Sequence, residues 1–200
     1  MNNIPNESVP TPSPPARTPL KGFLREMALT LVLALAVYLL LHSTIESSIV
    51  NNISMQPGLI AGQRLIINKV IYNFREPQRG EIIILYPPVQ PDEQWVKRLI
   101  GLPGDIIEVK NHQLYVNHIP LVEPYIKEAP IYTYGPFQVP AGHYFVMGDN
   151  RNNSMDSHYN WTVSHDKIVG KAWLRIWPLS FFGGVGNYPI DPQLSISTFN

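Results

Sequence analysis

The stretch from Met27 to Ile45, MALTLVLALAVYLLLHSTI, runs for 19 residues without a formally charged side chain, and ten of those residues are Leu or Ala. A helix rises about 1.5 Å per residue, so this length covers the roughly 30 Å of hydrocarbon in a bilayer. A buried core helix or a cleavable signal peptide has the same signature, and small residues (Ser43, Thr44, Ser47, Ser48) do follow the apolar run. The flanking charge selects among topologies. Arg17, Lys21 and Arg25 precede the run, whereas no Lys or Arg follows it until Arg64. The positive-inside rule then places the N-terminus in the cytoplasm and all that follows on the other side of the membrane. This reading gives a transmembrane helix over residues 23–45 and an extracytoplasmic domain over 46–200, with the lipid bilayer as one partner.

The rest of the composition narrows the function classes. Residues 1–22 hold six of the twenty prolines among Asn, Ser and Thr, too little apolar surface to offset the entropy of ordering, so they read as a disordered Pro-rich cytoplasmic tail. Fifteen basic residues balance fifteen acidic ones, and no basic excess recommends nucleic acid as a partner. The absence of Cys excludes thiol catalysis, thiolate zinc, iron–sulfur clusters and disulfides. The six histidines contain no pair at the i, i+4 spacing of helical zinc ligands, so no metal and no cofactor is expected. Gly-x-Ser-x-Gly, His-Glu-x-x-His, phosphate-loop and dinucleotide motifs are missing as well.

Beyond residue 46 the chain reads as short strands. RLIINKVIYNF, EIIILY, WVKRLI, IIEVKNHQLYVN, HYFVMG and KAWLRIW are rich in Ile, Val, Tyr, Phe and Trp and are punctuated by Pro and Gly. The expected fold is mainly β, an antiparallel sheet or barrel-like domain behind one N-terminal transmembrane helix. IIEVKNHQLYVN predicts a hairpin turning at Asn111 and His112.

Three polar clusters interrupt this pattern. Ser54 stands in Asn52-Ile53-Ser54-Met55-Gln56-Pro57-Gly58-Leu59, and alone it reads as an ordinary loop hydroxyl, with Pro57-Gly58 suited to a type II turn. Lys97 stands in Trp95-Val96-Lys97-Arg98-Leu99-Ile100-Gly101-Leu102-Pro103-Gly104-Asp105. Strand alternation puts it on the face of Trp95 and Leu99, where a lysine ordinarily snorkels its amine to water. The third cluster, Met147-Gly148-Asp149-Asn150-Arg151-Asn152-Asn153-Ser154-Met155-Asp156-Ser157-His158, follows the apolar strand HYFVM directly.

In this order the clusters resemble the type I signal peptidase family, in a compact bacterial or cyanobacterial-like form. The segment Arg79-Gly80-Glu81-Ile82-Ile83-Ile84-Leu85-Tyr86-Pro87 is similar to a further family motif, Gly-Asp-x-x-x-Phe-x-x-Pro, and the likeness covers about residues 25–178. The resemblance implies a membrane-anchored Ser/Lys dyad endopeptidase that removes signal peptides bearing small residues before the cut from exported preproteins, in the plasma or thylakoid membrane. It assigns Ser54 as nucleophile, Lys97 as general base, Ser154 as the hydroxyl orienting the amine, and Asp156, Arg151 and Asp149 as support. Such a base acts only when neutral, and burial against apolar residues favours the neutral amine. Val50, Met55, Trp95 and Val96 are the expected walls of the substrate pocket. The chain departs from the family pattern at three places: Gly58 replaces Thr, His158 replaces the Arg that pairs with the aspartate, and Asn52 replaces a Ser that assists the oxyanion hole. Read as an extended segment, residues 48–53 put Asn52 beside Ser54, with its amide NH₂ as the substitute donor. The alternatives are a catalytically impaired homologue that binds extended segments and an envelope assembly factor.

Overall fold

The computed structural model describes residues 20–196, so all but the last three residues of the 1–22 tail lie outside the described residues. The chain divides at Leu41/His42 into two compact units. The first is carried by helix α1 (Leu20–Thr44), 25 residues with none buried. At 1.5 Å per residue it is about 37 Å long, and among the described residues it is the one helix long and apolar enough to cross a membrane. Its hydroxyl group at Thr30 donates back to the Glu26 carbonyl at 2.9 Å, which satisfies a polar atom without water. The helix starts three residues before the expected boundary and stops one short of it, because Ile45 opens a strand.

The second unit is antiparallel β, as the sequence pattern implied. Its strands are β1 (Ile45–Ile49), β2 (Arg64–Asn68), β3 (Ile82–Leu85), β4 (Trp95–Gly101), β5 (Ile106–Lys110) and β6 (Gln113–Val116), then β7 (Ile119–Pro120), β8 (Tyr134–Gln138), β9 (His143–Met147), β10 (Val163–Ser164), β11 (Ile168–Trp177) and β12 (Gly183–Gly184). A short helix α2 (Asp191–Ile196) follows. The larger sheet runs β1-β2-β11-β3-β4-β9-β10, with β12 on β11, and the smaller runs β7-β6-β5-β8. The β5–β6 hairpin turns at Asn111 and His112, both at positive φ (50° and 62°), the signature of the two-residue type I′ turn that matches strand twist.

β3 and β4 lie in the middle of the larger sheet and are buried on both faces, which explains the unbroken apolar run of β3 and the apolar residues at both ends of β4. Alternation sends Ile82, Ile84 and Val96 into a core with Met55, Leu59, Leu65 and Ile67. Ile83, Leu85, Trp95 and Leu99 enter a second core with Tyr144, Val146 and Trp161. A third core, with Ile107, Val109, Leu114, Val116 and Phe145, underlies the smaller sheet. Lys97 pairs with Ile83 and Arg98 with both Ile82 and Met147, so two adjacent cations on β4 are delivered to opposite faces of one sheet.

Candidate active site

Ser54, Lys97, Trp95 and Asn52 line one cleft of about 130 Å³, together with Ile53, Asn153 and Met155. Lys97 reaches it from the centre of β4 and is 1 % exposed. Its amine donates to the Ser154 hydroxyl at 2.9 Å and lies 5.3 Å from the centre of the Trp95 ring, with no ion pair among the described residues. Burial therefore sets its protonation. It lowers the lysine to about 8, against a smaller upward pull from the charges of Asp156 and Asp149.

Ser54 sits in a turn, not a strand. The backbone at Asn52 and Ile53 bends, and the Asn52 side chain folds onto its own chain two residues on, as in an Asx turn. Its carbonyl oxygen accepts from the Ser54 hydroxyl at 2.7 Å and from the Ser54 N–H at 3.2 Å. This differs from the expected extended segment with an inward NH₂. The two groups within reach are both donors, so the carboxamide presents its acceptor. Gly58 corrects a second expectation: it is not at positive φ, so Pro57-Gly58 forms no type II turn. Instead the Leu59 N–H bonds the Met55 carbonyl at 2.8 Å, and a Cβ at Gly58 would stand 3.2 Å from Asp149 Oδ2.

Gly148 joins the two halves of the site. A Cβ there would meet Ser154 Oγ at 2.3 Å and the Ser54 carbonyl oxygen at 2.4 Å, so only glycine lets these chains approach. Its N–H donates to Asp156 Oδ2 at 2.9 Å, and the Asn150 N–H donates to the Ser54 carbonyl at 2.9 Å. Asp156 is fully buried, and its other oxygen lies 2.6 Å from His158 Nδ1. The His158 ring stacks on Tyr132 at 4.2 Å.

Asp149 serves the other face of β4, and Arg151 stands behind Gly148. Arg98, on the far side of β4 from Lys97, clasps Asp149 through Nε and Nη2 at 2.8 and 2.7 Å. Burial pushes the Asp149 carboxyl up, against the pull of Arg98. Arg151 pairs with Glu123. Of the expected pocket walls only Trp95 lines the cleft. Val50, Met55 and Val96 belong to the core cluster on the opposite side, Val96 because a strand neighbour of Lys97 must face away from it. The cleft's Ile53, Asn153 and Met155 were not anticipated, nor was Glu123. Met155 follows Ser154 directly and is 53 % exposed, against the usual burial of methionine.

An antiparallel β unit thus brings a buried lysine, with no ion pair among the described residues, and a serine into one cleft. Residues 24–177 match the family described as signal peptidase, peptidase S26. The chain is 38% identical to signal peptidase I of Leptolyngbya laminosa over 88% of this chain and 89% of that one. It is also 38% identical to probable signal peptidase I-1 of Synechocystis sp., over 95% and 98%. A solved signal peptidase I from Enterococcus faecalis is 33% identical, with a TM-score of 0.44 over 48% of this chain and 97% of that one. The chain belongs to the signal peptidase family, and its activity is that family's cleavage of signal peptides.

Proposed function

We propose that the protein is held in its membrane by α1, with the N-terminus cytoplasmic and the β unit outside, and cleaves preproteins by a Ser54/Lys97 dyad. The observation that carries this reading is Lys97: a buried lysine lowered to about 8, whose amine donates to Ser154 and has no ion pair among the described residues. An ammonium kept for stability is given a carboxylate, whereas this one is left to lose its proton.

Neutral Lys97 takes the Ser54 hydroxyl proton as Oγ forms its bond to the substrate carbonyl carbon. The resulting ammonium then returns that proton to the departing amine as the C–N bond breaks. Water then attacks the acyl ester as the same lysine takes its proton, and the ammonium passes that proton to Ser54 Oγ as the ester C–O bond breaks. In the resting structure the Ser54 hydroxyl donates to Asn52, so attack begins with its rotation toward Lys97, a tightening common on substrate binding. Turning the Asn52 carboxamide over brings its NH₂ to the oxyanion beside the Ser54 N–H. A cleft of about 130 Å³ is well below the roughly 300 Å³ of ordinary ligand pockets, which favours substrates with small residues at the first and third positions before the cut.

The test is processing of a preprotein bearing Ala-x-Ala before the junction by the detergent-solubilised full chain. Lys97→Ala and Ser54→Ala each abolish it, and the double variant is no worse than either. Wild-type processing by Lys97→Ala overturns the mechanism. Protease added to spheroplasts is expected to digest the β unit and spare the N-terminus, and protection of the β unit overturns the topology.

A further inference from the structure

Glu123 lies in the connection between β7 and β8, far in sequence from either half of the dyad, and its carboxylate is buried, with a side chain 5 % exposed. It grips Arg151 at two points, Nη1 to Oε2 at 2.7 Å and Nη2 to Oε1 at 2.5 Å. The third direction of the same guanidinium, Nε, donates to the Gly148 carbonyl at 3.1 Å. Gly148 is the residue wedged between Ser54 and Ser154. The carboxylate is thus two hydrogen-bonded steps from the backbone that sets the distance between the serine loop and the hydroxyl on Lys97.

The segment around Glu123 touches the same machinery elsewhere. The Tyr125 hydroxyl donates to Glu123 Oε1 at 2.7 Å, and its ring lies 4.0 Å from the Arg98 guanidinium. The Ile126 backbone bridges to Pro57, three residues after Ser54, and the Lys127 N–H donates to the Asp149 carbonyl at 3.0 Å. One stretch of five residues therefore contacts the serine loop, the Arg98–Asp149 pair and the Gly148–Ser154 loop. A bidentate carboxylate–guanidinium pair fixes direction as well as distance, which an apolar plug in the same place would not do.

Resting on the Ser54/Lys97 reading, we infer that Glu123 is a positioning residue: through Arg151 it fixes the loop of residues 148–154, so that Ser154 stays on the Lys97 amine and water stays off it. Displacement of a reacting group by about 1 Å costs up to roughly a hundredfold in rate. Loss of the Glu123 charge releases the loop, hydrates Lys97 and raises its titration back toward that of a free lysine.

The experiment is preprotein cleavage by the full chain in detergent, with kcat and KM measured from pH 6 to 10 and normalised to folded protein by near-ultraviolet circular dichroism. Glu123→Gln is expected to lower kcat about tenfold with KM within about twofold, and to move the acid limb upward by about one pH unit. Glu123→Asp, which keeps the charge but draws it back by one methylene, falls between. If Glu123→Gln does not accumulate in folded form, the charge-free pair Glu123→Gln/Arg151→Gln avoids an unpaired buried charge and reads the same two quantities. Wild-type kcat and an unmoved acid limb in the folded variant overturn the inference, whatever its melting temperature. Lys97→Ala runs alongside. If it is inactive while Glu123→Gln is normal, the positioning role alone fails; if it is active, the dyad itself fails.

Discussion

Replacing Lys97 by Met is expected to end activity and to change stability in a way that depends on pH with a computable slope. The lysine titrates at about 8 in the folded protein and at 10.5 unperturbed. Each unit corresponds to about 1.36 kcal/mol, so carrying the ammonium into the fold costs about 3 kcal/mol. The folded value lies below the unfolded one, which makes this a penalty and not a gain. It is fully present below about pH 8, shrinks as pH rises from 8 to 10.5, and is gone above that. Met has a similar unbranched stem and no charge to desolvate, but it forfeits the hydrogen bond to Ser154, worth about 1–2 kcal/mol. At pH 7 the variant should therefore be more stable than the wild type by about 1–2 kcal/mol. Near pH 10.5 the order should invert, the gap having moved by about 3 kcal/mol in all.

The assay is urea unfolding of the full chain in detergent. It is followed by the near-ultraviolet signal of the Trp95–Trp161 pair, whose rings meet edge to face at 6.2 Å. Ser54→Ala serves as an inactive control with no titrating group removed. A Lys97→Met gap that stays constant between pH 7 and 10.5 would refute the claim that burial holds the lysine down.

The other expectations can be stated briefly. With the base titrating at about 8, kcat/KM at pH 7 is about one tenth of its alkaline plateau, and an acid limb near pH 6 in the rate profile would contradict it. Ser154→Ala leaves the Lys97 amine without its hydroxyl partner and is expected to lower kcat roughly tenfold or more, with KM little changed. Asn52→Asp keeps an acceptor for the resting bonds to Ser54 but brings no donor to the oxyanion, so it is expected to lose about a hundredfold in kcat, like Asn52→Ala, while Asn52→Ser recovers much of the loss. Wild-type turnover by Asn52→Asp removes the donor role. Burial of Glu81 alone would raise its titration, but bonds from Arg75, Lys171 and the Gln78 N–H outweigh it and hold the carboxylate at about 2. Its contribution is present above pH 4.5 and lost as pH falls through 2. Glu81→Gln is thus expected to lower the melting temperature at pH 7 by about 4–8 °C, which corresponds to roughly 2 kcal/mol after discounting for solvent, and to flatten the fall seen on acidification.

The strands of the larger sheet were legible because their signal is local. Ile82 to Leu85 is apolar throughout and Trp95 to Gly101 is apolar but for its two cations, and the Asn111-His112 turn needs only the residues beside it. The extended segment expected over residues 48–53 meets β1 only at Ser48 and Ile49, because Glu46 and Ser47 break the apolar run at its start, and β8 carries no strand signal because Pro136 denies a donor in mid-strand. Within the site, the face of Lys97 followed from alternation alone. Asn52 did not, because whether a carboxamide offers its oxygen or its nitrogen depends on which groups surround it, and those come from a turn that the extended reading did not contain. Glu123 was invisible for a different reason. Its partner lies 28 residues away, and nothing in Leu121-Val122-Glu123-Pro124-Tyr125 distinguishes a buried carboxylate from a surface one.

The two cations of β4 show how one strand serves both stability and chemistry. Lys97 and Arg98 are neighbours, 1 % and 2 % exposed, so both require an answer to the cost of burying charge. Arg98 receives one: two bonds to Asp149, a third to the Gly80 carbonyl and the face of Tyr125. Guanidinium cannot shed its proton, so pairing is the only solution open to it. Lys97 receives a hydroxyl and an indole face instead, so its burial cost stands below about pH 8 and lifts only as the amine loses its proton. Exchanging the two residues would leave an unpaired guanidinium in the cleft and a lysine clasped by Asp149. Alternation thus hands the ionisable residue to the serine's cleft and the permanent cation to the carboxylate, so under the proposed Ser54/Lys97 mechanism the order Lys-Arg on β4 serves chemistry as well as fold.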